Sequence, residues 1–231
     1  MNVYEEKKQL YKLALRGEWR HLREVCKDAS QLVLPINNSG ETALHLAVYS
    51  GKGEPLKTIL EQVMEMDYIE YWKSYVENTP LHEAATVGNL DAFKLLVEFR
   101  KEDLLELNKR GETPLYRAAR YGQLQIVEYI LNECEDYYSR SPLNWMVDGT
   151  PIIHEAIQSE SFEMVMMLVD FDKSLLEMKD SKNQTALHVL ANMPHIFESG
   201  YLKGFWGELI YNWLPEDKIY PFNFFKLGKQ Q

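Results

Sequence analysis

A short pattern of residues recurs along the chain at a nearly constant spacing. In five segments a threonine is followed by an apolar residue, by a histidine or tyrosine, and then by alanine. The segments span residues 40–51, 77–88, 111–122, 149–160 and 183–191. Their threonines lie 37, 34, 37 and 35 residues apart. Self-similarity of this length predicts stacked units that bury their apolar faces against one another.

The recurring positions suit the start and the end of a helix. The threonine hydroxyl can accept an N–H bond at a helix N-terminus, and Pro80, Pro114 and Pro151 are expected at the first helical position. The threonines expected to cap helices are Thr42, Thr79, Thr113, Thr150 and Thr185. The glycines expected to end these helices in the left-handed conformation are Gly51, Gly88 and Gly122.

A second helix is predicted after each pattern, because apolar residues recur there at helical spacing. Residues 90–97, 124–131 and 162–169 contain such series. A sixth unit is predicted around residues 10–17, where the threonine–proline start is missing. The apolar residues of 201–214 predict a helix that closes the array.

A threonine–proline–leucine–histidine–x–alanine pattern with a period of about 33 residues is the signature of ankyrin repeats. The chain is therefore identified as an all-α ankyrin-repeat solenoid of about six helix–turn–helix units, with short loops or hairpins between them. We expect a single domain over residues 1–231. Its units are an N-terminal capping repeat at 1–36, repeats at 37–73, 74–107 and 108–144, a degenerate repeat at 145–179, and a last repeat with a C-terminal cap at 180–231.

More narrowly, the chain resembles the ankyrin region of the plant ankyrin–transmembrane proteins, which carry a C-terminal PGG-type membrane domain. The resemblance lies in residues 10–19, 40–45 and 149–172, and in residues 185–191 leading into 204–210. Members of that family continue into further repeats and membrane helices. The resemblance therefore implies the cytosolic interaction portion of a membrane-held protein that serves in stress or defence signalling.

The charge and the cysteine content narrow the class of partner and the compartment. A formal net charge of −10 disfavours nucleic acid and anionic membranes as partners. Cys26 and Cys134 are far apart and form no metal-binding or disulfide pattern, so both are expected to be free thiols in the cytoplasm. No apolar run approaches the length of a membrane span, so we expect no direct membrane insertion.

Four histidines, one in each of four repeats, are the first candidates for a metal site. They are His45, His82, His154 and His188. Because they fall one per repeat, stacking spreads them along the array, and a structural role that joins neighbouring repeats is favoured. The glutamates that follow His82 and His154 begin a zinc-protease motif, but its second histidine is missing in both places. We expect no metal and no cofactor.

Motifs for catalysis are also incomplete. Gly51 and Gly53 begin like a nucleotide-binding loop, but Leu56 stands where another glycine is required. The glycine–x–serine–x–glycine turn that presents a nucleophilic serine is missing as well. The sequence therefore predicts a protein that is not an enzyme.

The variable positions of the first helix in each repeat are the candidate contact residues for a partner. Tyrosine and arginine are favoured among them, because both bury a large area and also form polar contacts. These candidates are Tyr49, Glu83, Thr86, Val87, Tyr116, Arg117, Arg120, Tyr121, Glu155 and Gln158. The alternative interpretation is that any surface of this size contains some tyrosine and arginine.

Two of the repeat steps are longer than the others, and both insertions are aromatic. One carries Tyr68, Tyr71, Trp72 and Tyr75, and the other spans residues 137–145. Insertions in repeat proteins map to loops, often on the binding face. We expect the tryptophans to pack against the repeat beneath and the three tyrosines of the first insertion to be available to a partner.

The leading functional hypothesis is a non-catalytic module that binds another protein through a concave groove and the aromatic loops. Two alternatives stay open. One is a sensor of a small ligand or metal, which would need a closed pocket with convergent polar groups. The other is a structural spacer within a longer membrane protein. Exposed aromatic residues are equally compatible with a second copy of this chain as the partner.

Overall fold

The computed structural model describes residues 3–26, 30–50, 53–64, 73–134 and 146–193. Contacts divide the chain into two compact units, residues 1–186 and 187–231. The sequence predictions that lie outside the described residues concern Gly51, Tyr68, Tyr71, Trp72, residues 137–145 and residues 201–214. The single-domain organisation and the repeat boundaries stay predictions.

The described part of residues 1–186 consists mainly of α-helices. They are α1 (Val3–Leu15), α2 (Trp19–Val25), α3 (Ser30–Val33), α4 (Ala43–Tyr49), α5 (Gly53–Met64), α6 (Pro80–Val87), α7 (Leu90–Phe99), α8 (Pro114–Arg120), α9 (Leu124–Glu133), α10 (Ile152–Gln158) and α11 (Phe162–Phe171). Short 3-10 helices follow α7 and α11, at Lys101–Leu105 and Lys173–Glu177. An antiparallel hairpin of β1 (Met146–Val147) and β2 (Thr150–Pro151) precedes α10. The last described helix is α12 (Ala186–Ala191).

Successive helices form pairs, and the pairs stack side by side within residues 1–186. The pairs are α1–α2, α4–α5, α6–α7, α8–α9 and α10–α11. The first helices contact one another in the order α1, α4, α6, α8, α10, and the second helices α5, α7, α9 and α11 do the same. This is the arrangement of helix–turn–helix units that the repeated pattern predicts.

The core follows the apolar positions of the sequence pattern. Leu44, Leu81 and Leu115 occupy equivalent places in α4, α6 and α8 and are buried. The alanine pairs at 84–85 and 118–119 are also buried, and their small size lets neighbouring helices approach closely. The buried residues of the second helices include Phe93, Val97, Val127, Ile130, Leu131, Val165 and Val169. Their burial against the next pair stabilises units that are too small to fold alone.

The N-termini of α6 and α8 have the caps that the pattern predicts. The hydroxyl oxygen of Thr79 accepts the backbone N–H of His82 at 3.4 Å, and that of Thr113 accepts the N–H of Tyr116 at 3.2 Å. Each helix begins with a proline. A missing N–H has no consequence at that position, because the first turn of a helix has no partner for it.

Gly88 and Gly122, the two helix-ending glycines of the prediction that the structure describes, have the left-handed conformation. Gly88 caps α6 with φ of 75° and ψ of 22°, and its N–H donates to the carbonyl of Ala84 at 3.0 Å. Gly122 follows α8 with φ of 70°. A residue without a Cβ adopts this conformation at little cost, so the chain can turn at once into the second helix.

The unit that contains α10 begins differently from the pattern. Thr150 lies in β2, Pro151 is the N-cap residue with φ of −66° and ψ of 146°, and Ile152 begins the helix. The chain has one more residue between this threonine–proline pair and His154 than the corresponding segments of the other repeats have. Burial of Ile153 in the core fixes the register of the helix. Thr150 therefore lacks the capping role, and Pro151 the first helical position, that the pattern predicts.

Candidate partner-binding surface

Side chains from three first helices, α4, α6 and α8, each form a hydrogen bond to the following repeat. His45 donates from Nε2 to the carbonyl of Asn78 at 2.9 Å, and His82 donates to the carbonyl of Glu112 at 2.9 Å. Their Nδ1 atoms accept the backbone N–H groups of the N-cap threonines at 3.1 and 3.2 Å. Because Nδ1 is an acceptor and Nε2 is a donor, both rings are neutral.

Burial keeps these histidines neutral. Burial lowers the pKa of His82 to about 4, and it also lowers the pKa of His45. His154 is also buried, and its Nε2 has no hydrogen-bond partner in the described part of the chain. In the other unit, His188 is exposed. Thr185, within residues 1–186, is half-buried and forms an antiparallel β-bridge with Lys179.

In α8, Tyr116 occupies the position that His45 has in α4 and His82 has in α6. Its side chain is 1% exposed, and its Oη donates to the carbonyl of Thr150 at 3.0 Å. The Oη also lies 3.3 Å from Oε1 of Glu155. Burial, together with the charge of Glu155, raises the pKa of Tyr116, so the phenol stays neutral. The sequence makes Tyr116 a candidate contact residue, but its enclosed side chain belongs to the joint between repeats.

A second line of contacts is polar and passes through Glu41, Asn78 and Glu112, the residues that precede the N-cap threonines of α4, α6 and α8. Glu112 is buried, accepts hydrogen bonds from Asn108 at 2.8 Å and Arg117 at 3.0 Å, and pairs through its other oxygen with Arg120. Burial raises the pKa of this carboxyl, but the hydrogen bonds from Asn108, Arg120 and Arg117 outweigh it and lower the pKa. Arg117 also donates from Nε to the hydroxyl of Thr86 at 2.8 Å. The buried guanidinium of Arg117 therefore joins two repeats.

The polar line continues through Glu83 to the preceding repeat. Glu83 is buried and accepts hydrogen bonds from Nδ2 of Asn78 at 2.6 Å and from Oη of Tyr49 at 2.8 Å. The same Oη lies 3.0 Å from Oε1 of Glu41. Asn78 in turn accepts a hydrogen bond from Asn108 at 2.9 Å. Side-chain hydrogen bonds thus connect three successive turns of the array.

Sequence reasoning missed the asparagine and glutamate residues that the turns contribute to this line, which are Asn37, Glu41, Asn78, Asn108 and Glu112. The available signal was an asparagine–x–x–x–glutamate spacing at residues 37–41 and again at 108–112, each directly before an N-cap threonine. The side-chain oxygens of Asn37 and Asn108 each accept two backbone N–H groups of the turn that follows. Such a turn fixes the backbone of the glutamate at its end.

Several candidate contact residues remain open to solvent. Tyr49, Val87 and Tyr121 are 43%, 45% and 47% exposed, and Tyr75 is 58% exposed. Tyr49 ends α4, Val87 ends α6 and Tyr121 follows α8, so the three lie at the same end of successive first helices. Of the remaining candidates, Arg120 and Gln158 are exposed, Thr86 and Glu155 are half-buried, and Glu83 and Arg117 are buried.

A cavity of about 300 Å³ lies beside Tyr49 and is lined also by Leu15, Arg16, Trp19 and Leu46. Within the described ranges, His, Cys, Asp and Glu side chains form no group of three or more that could hold a metal ion. Searched over the same residues, no helix combines the length and the apolar content needed to cross a membrane.

Comparison with known proteins identifies the repeat. A family model described as "Ankyrin repeats (3 copies)" matches residues 67–141. Neurogenic locus notch homolog protein 1 of Xenopus laevis is 27% identical over 163 residues, which are 68% of this chain and 6% of that protein. A transient receptor potential cation channel subfamily A member 1 homolog of Caenorhabditis elegans is 30% identical over 129 residues, which are 56% of this chain and 10% of that protein. The chain thus spans a small part of the length of these relatives.

A solved structure has the same fold. The crystal structure of EF0377, an ankyrin repeat protein, superimposes with a TM-score of 0.64 at 21% identity and covers 80% of this chain and 92% of that chain. Together with the family match, this likeness confirms the predicted ankyrin repeats and the predicted all-α solenoid. The narrower resemblance to the plant membrane-anchored family stays a prediction.

Proposed function

We propose that this array of ankyrin repeats is a non-catalytic module that binds another protein. Its contact surface, the inner-helix surface, consists of Tyr49, Val87, Arg120 and Tyr121. These residues lie at or just beyond the ends of α4, α6 and α8. Stacked repeats bind their partners through extended surfaces of this kind.

The observation that carries this proposal is the exposure of three large side chains in a row. Tyr49, Val87 and Tyr121 are each between 43% and 47% exposed, although the first helices that they end are otherwise largely buried. Burial of their apolar area against a partner would be favourable. Clusters of exposed apolar residues mark interaction sites, and tyrosine and arginine often contribute most of the binding energy.

Buried contacts beneath the surface hold it in place before a partner arrives. The guanidinium of Arg117 lies 5.1 Å from the ring centroid of Tyr121 and is itself fixed by Glu112 and Thr86. The hydroxyl of Tyr49 is fixed by hydrogen bonding to carboxylates. Side chains that are already ordered lose less entropy on binding, so a few strong contacts are enough to give a stable complex.

Replacing Val87 and Tyr121 together by aspartate should remove partner binding without unfolding the chain, because both side chains are exposed. Proximity labelling in plant cells, with the wild-type chain and V87D/Y121D as baits, would identify the proteins that only the variant loses. Leu105→Asp is the matched control, since Leu105 is 40% exposed and lies outside the inner-helix surface. Partners kept by the double variant, or lost equally from the control, would contradict the proposal.

We further propose that the partner acts in stress or defence signalling and that binding takes place in the cytoplasm, at the face of a membrane. The support is the resemblance of residues 10–19, 40–45 and 149–172 to the plant ankyrin–transmembrane proteins. In a plant that lacks the protein, a V87D/Y121D copy should leave the stress response impaired, whereas an L105D copy should restore it. A normal response with the double variant would contradict this link.

A further inference from the structure

Two pairs of carboxylates occupy equivalent places in different repeats. Glu41 and Glu112 each precede the N-cap threonine of a first helix, α4 and α8 respectively. Glu83 and Glu155 each follow the histidine of the next first helix, in α6 and α10. One pair is therefore Glu41 with Glu83, and the other is Glu112 with Glu155. Each pair combines a turn of one repeat with a helix of the following repeat.

An arginine bridges the second pair. Arg120 lies in the last turn of α8, four residues after Tyr116. Its Nη1 pairs with Oε1 of Glu112, and its Nε lies 3.6 Å from Oε2 of Glu155. A guanidinium carries a permanent positive charge and five N–H donors, so it can satisfy both carboxylates at once. This pair shows which chemical group the arrangement of two glutamates accommodates.

A tyrosine stands at the equivalent place of the first pair. Tyr49 lies four residues after His45 in α4, and its Oη is 3.0 Å from Oε1 of Glu41 and 2.8 Å from Oε2 of Glu83. In the other pair, Arg120 contacts the corresponding oxygens. A phenol has one proton and donates to one carboxylate at a time. Burial, with the charges of Glu83 and Glu41, raises the pKa of Tyr49, so the hydroxyl keeps that proton.

The first pair has no cation of its own in the described part of the chain. None of the ion pairs found there involves Glu41 or Glu83. Arg16 lines the cavity beside Tyr49, but it pairs with Glu18 at 3.9 Å. Two neighbouring carboxylates repel each other, so a positive group supplied from outside would stabilise this pair.

We propose that the binding partner places a basic side chain, an arginine or a lysine, against Glu41 and the ring of Tyr49, at the solvent-facing edge of the carboxylate pair that Glu41 forms with Glu83. The inference rests on the proposed function and adds the chemistry of the partner at one place on the inner-helix surface. The basic side chain approaches from the side of Tyr49 and Glu41, because Tyr49 is 43% exposed and Glu41 is half-buried, whereas Glu83 is buried. It supplies the charge that Arg120 supplies to the equivalent pair.

The surroundings of the pair suit the rest of such a side chain. Its cation faces the ring of Tyr49, a contact of the kind that Arg117 makes with the ring of Tyr121 at 5.1 Å. Its methylene groups lie along the apolar wall that Leu15 and Leu46 give to the adjacent cavity. The net charge of −10 over the whole chain attracts a basic partner to the surface.

The decisive variant is Tyr49→Arg, which copies the arrangement of Arg120 into the first pair. A display library of random peptides is selected on the full wild-type chain and on Y49R, and the arginine and lysine content of the selected peptides is compared. The wild type should select basic peptides. Y49R should lose that preference, because its own guanidinium occupies the carboxylates. Gln125→Arg is the matched control, since it adds the same charge at an exposed position of α9.

A peptide selected on the wild type then gives a quantitative test. Its affinity should be about tenfold lower for Y49R, and should be unchanged for Q125R. Replacing its basic residue by norleucine should weaken binding to the wild type by the same factor and leave binding to Y49R unchanged. Glu41→Gln provides the same comparison if Y49R does not fold, because it removes one carboxylate charge while keeping the side-chain shape.

The outcomes separate this inference from the proposed function. Peptides that depend on Val87 and Tyr121 but show no basic preference, or that bind Y49R as tightly as the wild type, would overturn the inference alone. Peptides whose binding is unaffected by V87D/Y121D would contradict the proposed function. A selection that yields no binding peptide would contradict both.

Discussion

Tyr116 and the histidines of neighbouring repeats make the same contact with different chemistry. His45 and His82 donate to a carbonyl of the next repeat from an imidazole, and Tyr116 donates from a hydroxyl. In acid an imidazole gains a proton on Nδ1, the atom that accepts a backbone N–H here, whereas a phenol does not. The response of the array to pH therefore depends on its histidines and not on Tyr116.

Tyr116→Phe should lower the free energy of unfolding by about 1–3 kcal/mol. The change removes the hydroxyl that donates to the carbonyl of Thr150 and leaves that carbonyl without this donor. Urea unfolding of both proteins would measure the difference. Tyr121→Phe is the control, because Tyr121 is 47% exposed and its change should cost almost nothing. An equal loss of unfolding free energy in the two variants would contradict the role assigned to Tyr116.

Stability should fall as the pH is lowered from 7 to 5. The pKa values of His45, His82 and His154 are lowered mainly by burial, so in this range the unfolded chain binds more protons than the folded chain, and unfolding is favoured by acid. With a pKa of about 4 against an ordinary 6.5, His82 alone should account for about 2 kcal/mol at pH 5. Urea unfolding at a series of pH values tests this. A free energy of unfolding that stays constant over this range would show that these histidines do not control it.

At the scale of helices and turns, the sequence predicts an element well where several local signals coincide. For α6 and α8, the cap, the proline, the buried leucine and the following glycine all indicate the same boundaries. For α10 the threonine–proline signal lies one residue too early, and core packing of Ile153 overrides it. The burial of Arg117 and Glu83 was not predictable, because it depends on how closely the turn of a neighbouring repeat approaches them.

Gly40 and Gly111 offer a matched pair for testing the turns. Both precede the glutamate before an N-cap, and their φ angles are 76° and 74°. A Cβ at Gly40 would lie 2.5 Å from the backbone nitrogen of Tyr75, whereas a Cβ at Gly111 would meet nothing within 4 Å. Gly111→Ala should lower the free energy of unfolding by about 1 kcal/mol, because alanine is strained in the left-handed conformation. Gly40→Ala should cost a further 1–3 kcal/mol, roughly, because the backbone of Tyr75 must move.

Thermal or urea unfolding of the two alanine variants would give the comparison directly. The left-handed strain is common to both positions, so the difference isolates the close approach of Tyr75 to Gly40. If Gly111→Ala were the more damaging change, the packing of Tyr75 over this turn would be contradicted.

At the scale of the whole array, each pair of helices within residues 1–186 packs mainly on the pairs before and after it. Stability in such an arrangement is approximately a sum of the contributions of the units and of the contacts between neighbours. A pair with neighbours on both sides is therefore held more firmly than a pair with one. This difference depends on position in the array and not on the residue types of any single helix.

Hydrogen exchange should reveal this gradient. Backbone amides of α6 and α8 should exchange more slowly than those of α1, because α6 and α8 have first helices on both sides and α1 contacts one, α4. Mass spectrometry of peptic fragments after timed exposure to deuterated water would measure the rates. Uniform exchange over these helices would indicate that residues 1–186 open as one cooperative unit instead.

The polar line limits how freely the repeats can be exchanged. Asn78 accepts the amide of Asn108 from the next turn, and the equivalent of Asn108 in the repeat of Asn78 itself is Ser74. If residues 74–107 were duplicated, the first copy of Asn78 would face a serine hydroxyl in place of an amide. The repeat of Asn78 is matched in this way to the repeat of Asn108. A gene that duplicated residues 74–107 would therefore have to change residues at the new junction before this hydrogen bond formed again.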